Sequence, residues 1–177
     1  TTLTGEGTQH MDGHSPLISW TNDAFASYDP AYAYEIRHIV RDALERWYGP
    51  DSGRDRNLMY YLTVYNEPMV QPAEPADVDV EGIIKGIHKI ADAPESDGPE
   101  VQLLASGVGV PWVLEARRIL VQDWGVRASV WSVTSWGELR REALAVEKQN
   151  FLNPSAPRRT PYLENKLASA QGPFVAT

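Results

Sequence analysis

The sequence predicts an α/β fold with three layers and mostly parallel sheets. Uncharged apolar segments, typical of strands that are covered on both faces, alternate with segments whose apolar residues recur at helical spacing. Strand, helix and strand follow one another in both halves of the chain, and this order is the usual source of parallel pairing. We therefore expect parts of two α/β domains.

The first half is predicted to contain a short helix, a strand, a long helix and a second strand. These elements are expected at residues 15–20, 24–28, 31–48 and 58–65. Ser15 is a favourable N-cap residue for the short helix, with Pro16 in its first turn. Asp29-Pro30 is expected to cap the long helix.

The long helix is predicted to be amphipathic. Its apolar side chains are Tyr32, Ile36, Ile39, Val40, Ala43, Leu44 and Trp47. Glu35 and His38 fall on the opposite side, so we expect both to face solvent. His38 is accordingly predicted to be a solvated histidine and not a ligand.

Residues 66–80 differ from their surroundings, because prolines alternate there with acids and alanine. Prolines at positions 68, 72 and 75 cannot sustain a helix or a central strand. This pattern predicts an extended linker with a domain boundary near Val70. The first domain would comprise residues 1–70 and the second residues 71–177.

The second half is predicted to begin with a helical turn and a strand, followed by strand, helix, strand, two helices and a last strand. These elements are expected at about residues 81–90, 101–106, 110–124, 127–133, 135–150, 162–170 and 174–176. Ser135 and Glu138 have the spacing of a capping box. Trp112 and Trp124 are expected on the buried face of their helix, and His88 is predicted to be structural.

Gly107 and Gly109 lie between a strand and a helix, as the glycines of dinucleotide-binding sites do. The third glycine position holds Trp112, and the next strand ends in Thr134-Ser135 and not in an acid for the ribose. We therefore predict a structural role for the two glycines.

Residues 5–15 form a glycine-rich segment that contains two histidines and two carboxylates. Glycine keeps this segment from being a helix or a strand, and such loops usually carry chemistry. Glu6 is close enough to His10 to hydrogen-bond one ring nitrogen and to leave the other for a substrate. The alternative is a surface loop whose histidines are merely solvated.

Composition narrows the possible classes of function. The formal net charge of −8 argues against a nucleic-acid partner, since phosphate contacts need clustered Lys and Arg. The absence of cysteine excludes disulfides and thiolate chemistry and fits the cytoplasm. No apolar run approaches the ~20 residues of a membrane helix, and no signal-peptide pattern opens the chain. Because it begins with Thr1, we expect a processed or excised chain.

Five segments carry a resemblance to a known family. They are GEGTQHMDGHS from residue 5, YDPAYAYE from residue 28, YNEP from residue 65, GIIKGI from residue 82 and VTSWGEL from residue 133. In this order they resemble the homodimeric bacterial type of pyruvate dehydrogenase, the thiamine-diphosphate component that decarboxylates pyruvate. The resemblance implies the end of a pyrimidine-binding domain followed by a transketolase C-terminal-like domain.

The resemblance also implies the residues and partners of the reaction. His10 would contact pyruvate or its adduct, Glu6 would belong to the same network, and His14 is similar in position to the substrate-side histidine of transketolases. Thiamine diphosphate and magnesium would be held mostly by ligands outside this chain, on chains that carry the diphosphate-binding domain and the rest of the pyrimidine domain. The acyl group would pass to a lipoyl acyltransferase, within a homo- or hetero-oligomer.

Two further functions remain open. The chain could belong to a split transketolase-like enzyme of another pathway, which acts on a different 2-oxo acid or forms carbon–carbon bonds. It could also be a noncatalytic assembly module, although the joint presence of Glu6, His10 and His14 argues against this. Since the cofactor ligands are expected elsewhere, we expect the chain to be inactive by itself.

Overall fold

The computed structural model describes residues 7, 9, 12–50, 57–66 and 68–177, and within these it contains six helices and six strands. The helices are α1 (Ser15–Trp20), α2 (Ala33–Tyr48), α3 (Val80–Lys85), α4 (Gly109–Trp124), α5 (Trp136–Leu152) and α6 (Tyr162–Leu167). The strands are β1 (Phe25–Tyr28), β2 (Met59–Leu62), β3 (His88–Ala91), β4 (Glu100–Ala105), β5 (Arg127–Ser132) and β6 (Phe174–Ala176). The predicted order of elements is confirmed. In this part of the chain, no helix combines the length and hydropathy needed to cross a bilayer.

The strands form two sheets, and most of their pairings are parallel. β1 and β2 pair in parallel, with Phe25 opposite Met59 and Tyr28 opposite Leu62. The second sheet has the order β3-β5-β4-β6, in which only the β3–β5 pair is antiparallel. The prediction of a mostly parallel α/β fold is therefore confirmed.

β2 is less covered than its uncharged sequence predicts. Met59 is exposed and the other three residues of the strand are half-buried. Within the described residues β2 pairs only with β1, so it is an edge strand of a two-stranded sheet. The expectation that both its faces are covered is wrong for this structure.

The second sheet is the middle layer of three. Along β4, Leu103 packs into a cluster with the buried side of α4, whereas Leu104 packs on the other face against α5 and α6. Val130 and Trp131 of β5 divide in the same way. This alternation follows from the two-residue period of a strand and confirms the three-layer prediction for this sheet.

A single apolar cluster joins the two halves of the chain. Ala26 of β1 and Ile39 of α2 belong to the same cluster as Val101 of β4 and Val130 of β5. Fully burying side chains of this size stabilises a fold by roughly 1.5–3 kcal/mol each, so the cluster holds the two halves in one packed body.

The buried stripe of α2 lies about one residue away from the predicted one. Glu35 is fully buried and His38 is 9% exposed, whereas Val40 and Leu44 are 42% and 49% exposed. The prediction that Glu35 and His38 face solvent is wrong, because both side chains find polar partners inside. The expected Asp29-Pro30 cap is also wrong, since Glu35 Oε2 accepts hydrogen bonds from the backbone N–H groups that precede α2.

The predicted face of α4 is wrong for its tryptophans. Trp112 and Trp124 are 67% and 74% exposed, whereas Val110 and Val113 are buried against the sheet. Val110 and Val113 are three residues apart and therefore share one side of the helix. Trp112 lies away from that side, whereas Trp124 is in phase with Val113 but is exposed as the last residue of the helix.

The proline-rich linker follows α2 and is bonded to it. Residues 63–66 and 68–79 contain no helix or strand. Gln71 Oε1 accepts a hydrogen bond from Ala33 N at 2.8 Å, and Glu74 Oε1 lies 2.9 Å from His38 Nε2. Arg37 also pairs with Glu74. The linker is thus extended and hydrogen-bonded to α2.

Candidate functional site

Glu6 and His10 lie outside the described residues, whereas His14 is described. His14 is exposed and occupies the N-cap position of α1. Its backbone N–H and that of Ser15 each donate to Asp12 Oδ1 at 3.0 Å. Hydrogen bonds from Ser15 and His14 hold the pKa of the Asp12 carboxyl below its usual value. The predicted N-cap role of Ser15 is wrong, because Asp12 supplies the acceptor from outside the helix.

Helix α1 leads from this loop to a cavity of about 350 Å³. The helix packs on β1 and on α5, and its residues Pro16 and Trp20 line the cavity. Pro16 follows His14 by two residues. The end of the glycine-rich loop therefore lies beside the cavity.

The cavity lies where strands of both sheets end. Tyr28 and Asp29 are at the carboxyl end of β1, Thr63 follows β2, Ser106 follows β4 and Ser135 follows β5. Ligand sites of α/β proteins usually lie at the carboxyl ends of parallel strands. The cavity is accordingly the candidate site.

Asp29 connects the ends of these four strands. Its Oδ1 atom accepts hydrogen bonds from Thr63 Oγ1 and, at 2.6 Å, from the Tyr65 hydroxyl. Its backbone N–H donates to Thr134 O at 2.7 Å, and its backbone oxygen accepts from Gly107 N at 3.0 Å. Burial and the bond to Asp29 raise the pKa of Tyr65, so this hydroxyl remains a donor at neutral pH.

Two glycines allow the halves of the chain to approach closely at this cavity. Gly107 has a φ of +48°, and a Cβ there would lie 2.5 Å from both Asp29 Oδ1 and the Tyr65 hydroxyl. A Cβ on Gly137 would lie 2.8 Å from Trp20 and 2.9 Å from Ser27 Oγ. Gly107 therefore has a structural reason to be glycine, as predicted.

Ser135 fixes the start of α5 at the edge of the cavity. Its hydroxyl oxygen accepts a hydrogen bond from Glu138 N at 2.9 Å and donates to Ser27 O at 2.6 Å. The N-cap role predicted for Ser135 is confirmed. The same hydroxyl thus begins the helix and bonds the second half of the chain to β1.

The side chains that line the cavity are suited to an uncharged or planar apolar group. Its walls are aromatic, from Trp20, Tyr61, Trp112 and Trp136, and its polar groups are hydroxyls and the Asp29 carboxylate. Lysine, arginine and histidine are absent from this lining. Within the described ranges, no three His, Cys, Asp or Glu side chains are grouped so as to hold a metal ion. The lining can orient a group and exclude water from it.

Sequence reasoning missed Asp29 and Thr63 as site residues. A signal was available for Asp29, because it comes directly after the strand predicted at residues 24–28, whereas Thr63 lay inside the strand predicted at residues 58–65. Asp29 was instead interpreted as a helix cap, since Asp-Pro before an amphipathic segment is typical of a helix start.

Two family models match the chain. Residues 1–72 match the pyruvate dehydrogenase E1 component middle domain, and residues 86–177 match the transketolase-like C-terminal domain. The pyruvate dehydrogenase E1 component of Mycolicibacterium smegmatis is 52% identical over 99% of the chain, and that of Escherichia coli K12 is 46% identical over 100%. The chain spans about a fifth of the length of these relatives, 19% of each.

The fold is similar to that of solved transketolases. The transketolase of Leishmania mexicana has a TM-score of 0.61 at 17% identity, over 97% of this chain and 20% of the solved chain. A transketolase of Pichia stipitis, the R356L variant with fructose-6-phosphate, has a TM-score of 0.57 at 12% identity over 96% of this chain and 23% of the solved chain. At these identities the likeness shows the fold alone.

Proposed function

Because the chain belongs to the transketolase-like family, with regions that match pyruvate dehydrogenase E1 components, we propose that it is part of a thiamine-diphosphate-dependent pyruvate dehydrogenase. The observation that carries this proposal is the extent of the likeness. The pyruvate dehydrogenase E1 components of Mycolicibacterium smegmatis and Mycobacterium tuberculosis are 52% and 48% identical to this chain. Each match covers 99% of the chain, including the glycine-rich loop. A cytoplasmic location is part of this proposal.

We assign the catalytic roles to the glycine-rich loop. His10 faces the 2-oxo acid, Glu6 fixes the tautomer of His10 by a hydrogen bond, and His14 lies on the substrate side of the same loop. The position of His14 beside the carboxyl-end cavity supports this assignment, because α1 leads from His14 directly to Pro16 and Trp20. The cavity residues orient α1, and with it the end of the loop.

The cofactor is assigned to ligands outside this chain. The chain spans only about a fifth of its relatives, and the cavity lining offers a diphosphate no cationic side chain. When bound, thiamine diphosphate with its magnesium ion would supply the nucleophilic carbon and the electron sink that decarboxylation of a 2-oxo acid requires. The two-carbon unit left by decarboxylation would be oxidised to the acyl level as it is transferred to the lipoyl group of a partner acyltransferase, and the lipoyl disulfide would be reduced.

The chain is proposed to contribute to two domains. Residues 1–70 complete the pyrimidine-binding domain, and residues 71–177 belong to the C-terminal domain. The extended linker, which has no helix or strand at residues 68–79, supports a boundary near Val70. Asp29 and Ser135 would then fix the geometry between the two domains.

The test is substitution of His10 in the complete enzyme. We expect His10→Ala to lower kcat by about 10²–10⁴-fold, because a positioned proton donor or acceptor contributes that much. The dissociation constant of thiamine diphosphate should stay within about twofold, since the cofactor is held elsewhere. Both quantities are measured on the same preparation, by steady-state kinetics with pyruvate and by cofactor titration.

Lys148→Ala is the control, because Lys148 is exposed on α5 and away from the cavity. This variant should match the parent enzyme in both measurements. Equal losses of turnover and cofactor affinity in His10→Ala would contradict the assignment, since His10 would then hold the cofactor site together. Turnover of a ketose donor and an aldehyde in preference to pyruvate would favour the transketolase-type alternative.

A second test uses the 177-residue chain alone. We expect no saturable binding of thiamine diphosphate and magnesium, and binding should be restored when chains with the missing domains are co-expressed. Tight binding by the isolated chain would contradict the placement of the ligands outside it.

A further inference from the structure

A second cavity, of about 380 Å³, shares no lining residue with the carboxyl-end cavity. The start of α2, linker residues 72–79, strand β3 and one residue of α4 enclose it. This volume is within the roughly 300–1,000 Å³ of small-molecule sites. The proposed function assigns no role to it.

His88, which lines this cavity, forms a buried pair with Glu35. His88 is 2% exposed, and its Nε2 atom lies 2.7 Å from Oε1 of Glu35, which is fully buried. The same Oε1 atom accepts a hydrogen bond from Ser132 Oγ at 2.7 Å. Oε2 accepts two more, from Ala31 N at 2.6 Å and Tyr32 N at 3.0 Å.

These contacts decide which ring nitrogen of His88 can meet a ligand. Glu35 receives three other donors, as an ionised carboxylate does, so His88 Nε2 carries hydrogen and donates to it. The remaining nitrogen, Nδ1, has no hydrogen-bond partner within the residues that the structure describes. In the neutral Nε2–H tautomer of His88, Nδ1 is an acceptor, and the bond to Glu35 fixes its orientation.

Aromatic rings form the wall beside this acceptor. Tyr32 and Tyr34 stack with centroids 5.6 Å apart and planes inclined by 27°. The Tyr34 ring meets His88 edge-on, with centroids 6.3 Å apart. Tyrosine faces attract cations as well as apolar groups.

The charged groups around the cavity are mainly acidic. Asp77, Asp79 and Asp92 line it, against one cation, Lys89. Lys89 pairs with Asp92, and Asp79 pairs with Lys166. Asp77 is exposed and has no hydrogen-bond or ion-pair partner among the described residues, so its charge is available to a ligand.

We propose that this cavity binds a small organic cation, with an ammonium group that donates to His88 Nδ1 and an apolar body that lies on Tyr32 and Tyr34. Asp77 supplies the opposite charge at the opening. The ligand class follows from the three components together: a fixed acceptor, an aromatic wall and an unpaired carboxylate. The site is independent of the carboxyl-end cavity and of the proposed reaction.

The experiment titrates the full chain with three probes that share one body. They are 2-phenylethylamine, 2-phenylethanol and 3-phenylpropionate, which carry a cation, a neutral hydroxyl and an anion. Calorimetry gives the affinities, and the ring nitrogen signals of His88 report where the probe binds. We expect saturable binding of the amine with a shift of the His88 Nδ1 signal, at least tenfold weaker binding of the alcohol, and none of the carboxylate.

Variants separate the charge from the aromatic wall. Asp77→Asn should weaken the amine about two- to fivefold, in line with an exposed ion pair of up to ~1 kcal/mol, and leave the alcohol unchanged. Asp97→Asn is the control, since Asp97 is an equally exposed acid outside the cavity lining, and it should change nothing. Tyr34→Leu should weaken amine and alcohol alike.

Four results would overturn the proposal. The amine could show no saturable binding, or it could bind without moving the His88 signal. Amine and alcohol could also bind equally well. An identical effect of Asp77→Asn and Asp97→Asn would show that overall charge, and not this cavity, attracts the probe. Circular dichroism of each variant verifies that the fold is retained.

Discussion

Replacing Glu35 by alanine tests the reasoning about the interior most directly. Glu35 is fully buried, yet four donors point at its carboxylate: two backbone N–H groups before α2, the His88 ring and the Ser132 hydroxyl. Ser132 lies on β5, so the side chain bonds the first half of the chain to the second. Glu35→Ala removes the acceptor and leaves all four donors.

The expected loss follows from these donors. A buried donor without an acceptor costs about 1–3 kcal/mol, so four of them give at least ~4 kcal/mol. We therefore expect Glu35→Ala to lower the free energy of unfolding by ~4 kcal/mol. Glu35→Gln keeps one acceptor oxygen and should lose about half as much.

The assay is urea unfolding of the chain, followed by tryptophan fluorescence and circular dichroism together. Glu45→Ala is the matched control, because Glu45 is an exposed acid on the same helix and pairs only with Arg41, one turn away. Such a pair contributes about 0.3–0.5 kcal/mol. A double-mutant cycle between Glu35→Gln and Ser132→Ala then measures the bond between the two halves.

The reasoning is refuted if Glu35→Ala loses less than about 1 kcal/mol, or no more than Glu45→Ala. Either outcome would mean that the four donors find water or other acceptors, so that the carboxylate is not what satisfies them. A coupling energy near zero in the cycle would refute the bond to Ser132 in particular.

Three further outcomes are expected. Gly107→Ala should lower the free energy of unfolding by about 1–3 kcal/mol more than Gly125→Ala. Both glycines have a positive φ, but an added Cβ would collide with other atoms at Gly107 and would meet none at Gly125. Equal losses in urea unfolding would contradict this prediction. The pKa of Glu74 is lowered, chiefly by its hydrogen bond to His38. The stability that Glu74 contributes is therefore present above the ordinary pKa of 4.5 and is lost as the pH falls below that value. Glu74→Gln should remove this part of the pH dependence of unfolding, and a pH profile identical to that of the parent chain would contradict the prediction. Ser135→Ala removes an N-cap and should cost about 1–2 kcal/mol, measured in the same unfolding experiment, and a loss of only a few tenths would argue against its double hydrogen bond.

The order of elements could be predicted because local patterns determine it. Apolar runs, helical spacing and proline positions place six helices and six strands in the correct order within the described residues. Which side of a helix is buried depends on what packs against it. For α2 the apolar pattern alone therefore predicted the wrong side chains to be buried. Glu35 is inside because β3 and β5 bring it His88 and Ser132, which lie 53 and 97 residues further along the chain.

The candidate site was likewise predictable only in part. Its sheet edge was predictable, since parallel strands end together. The role of Asp29 could not be predicted, because its partners Thr63, Tyr65 and Gly107 are remote in sequence. Only the fold brings them to this one residue. Glu6 and His10 remain predictions from the sequence.

The long span between Glu35 and its partners has a consequence for synthesis. A ribosome completes α2 well before β5 emerges, so the nascent helix carries an ionised side chain on the surface that later becomes interior. Until β3 and β5 are made, its carboxylate has only the backbone N–H groups of Ala31 and Tyr32 as donors. Once β3 and β5 are made, His88 and Ser132 bond to the Glu35 carboxylate and connect these strands to α2.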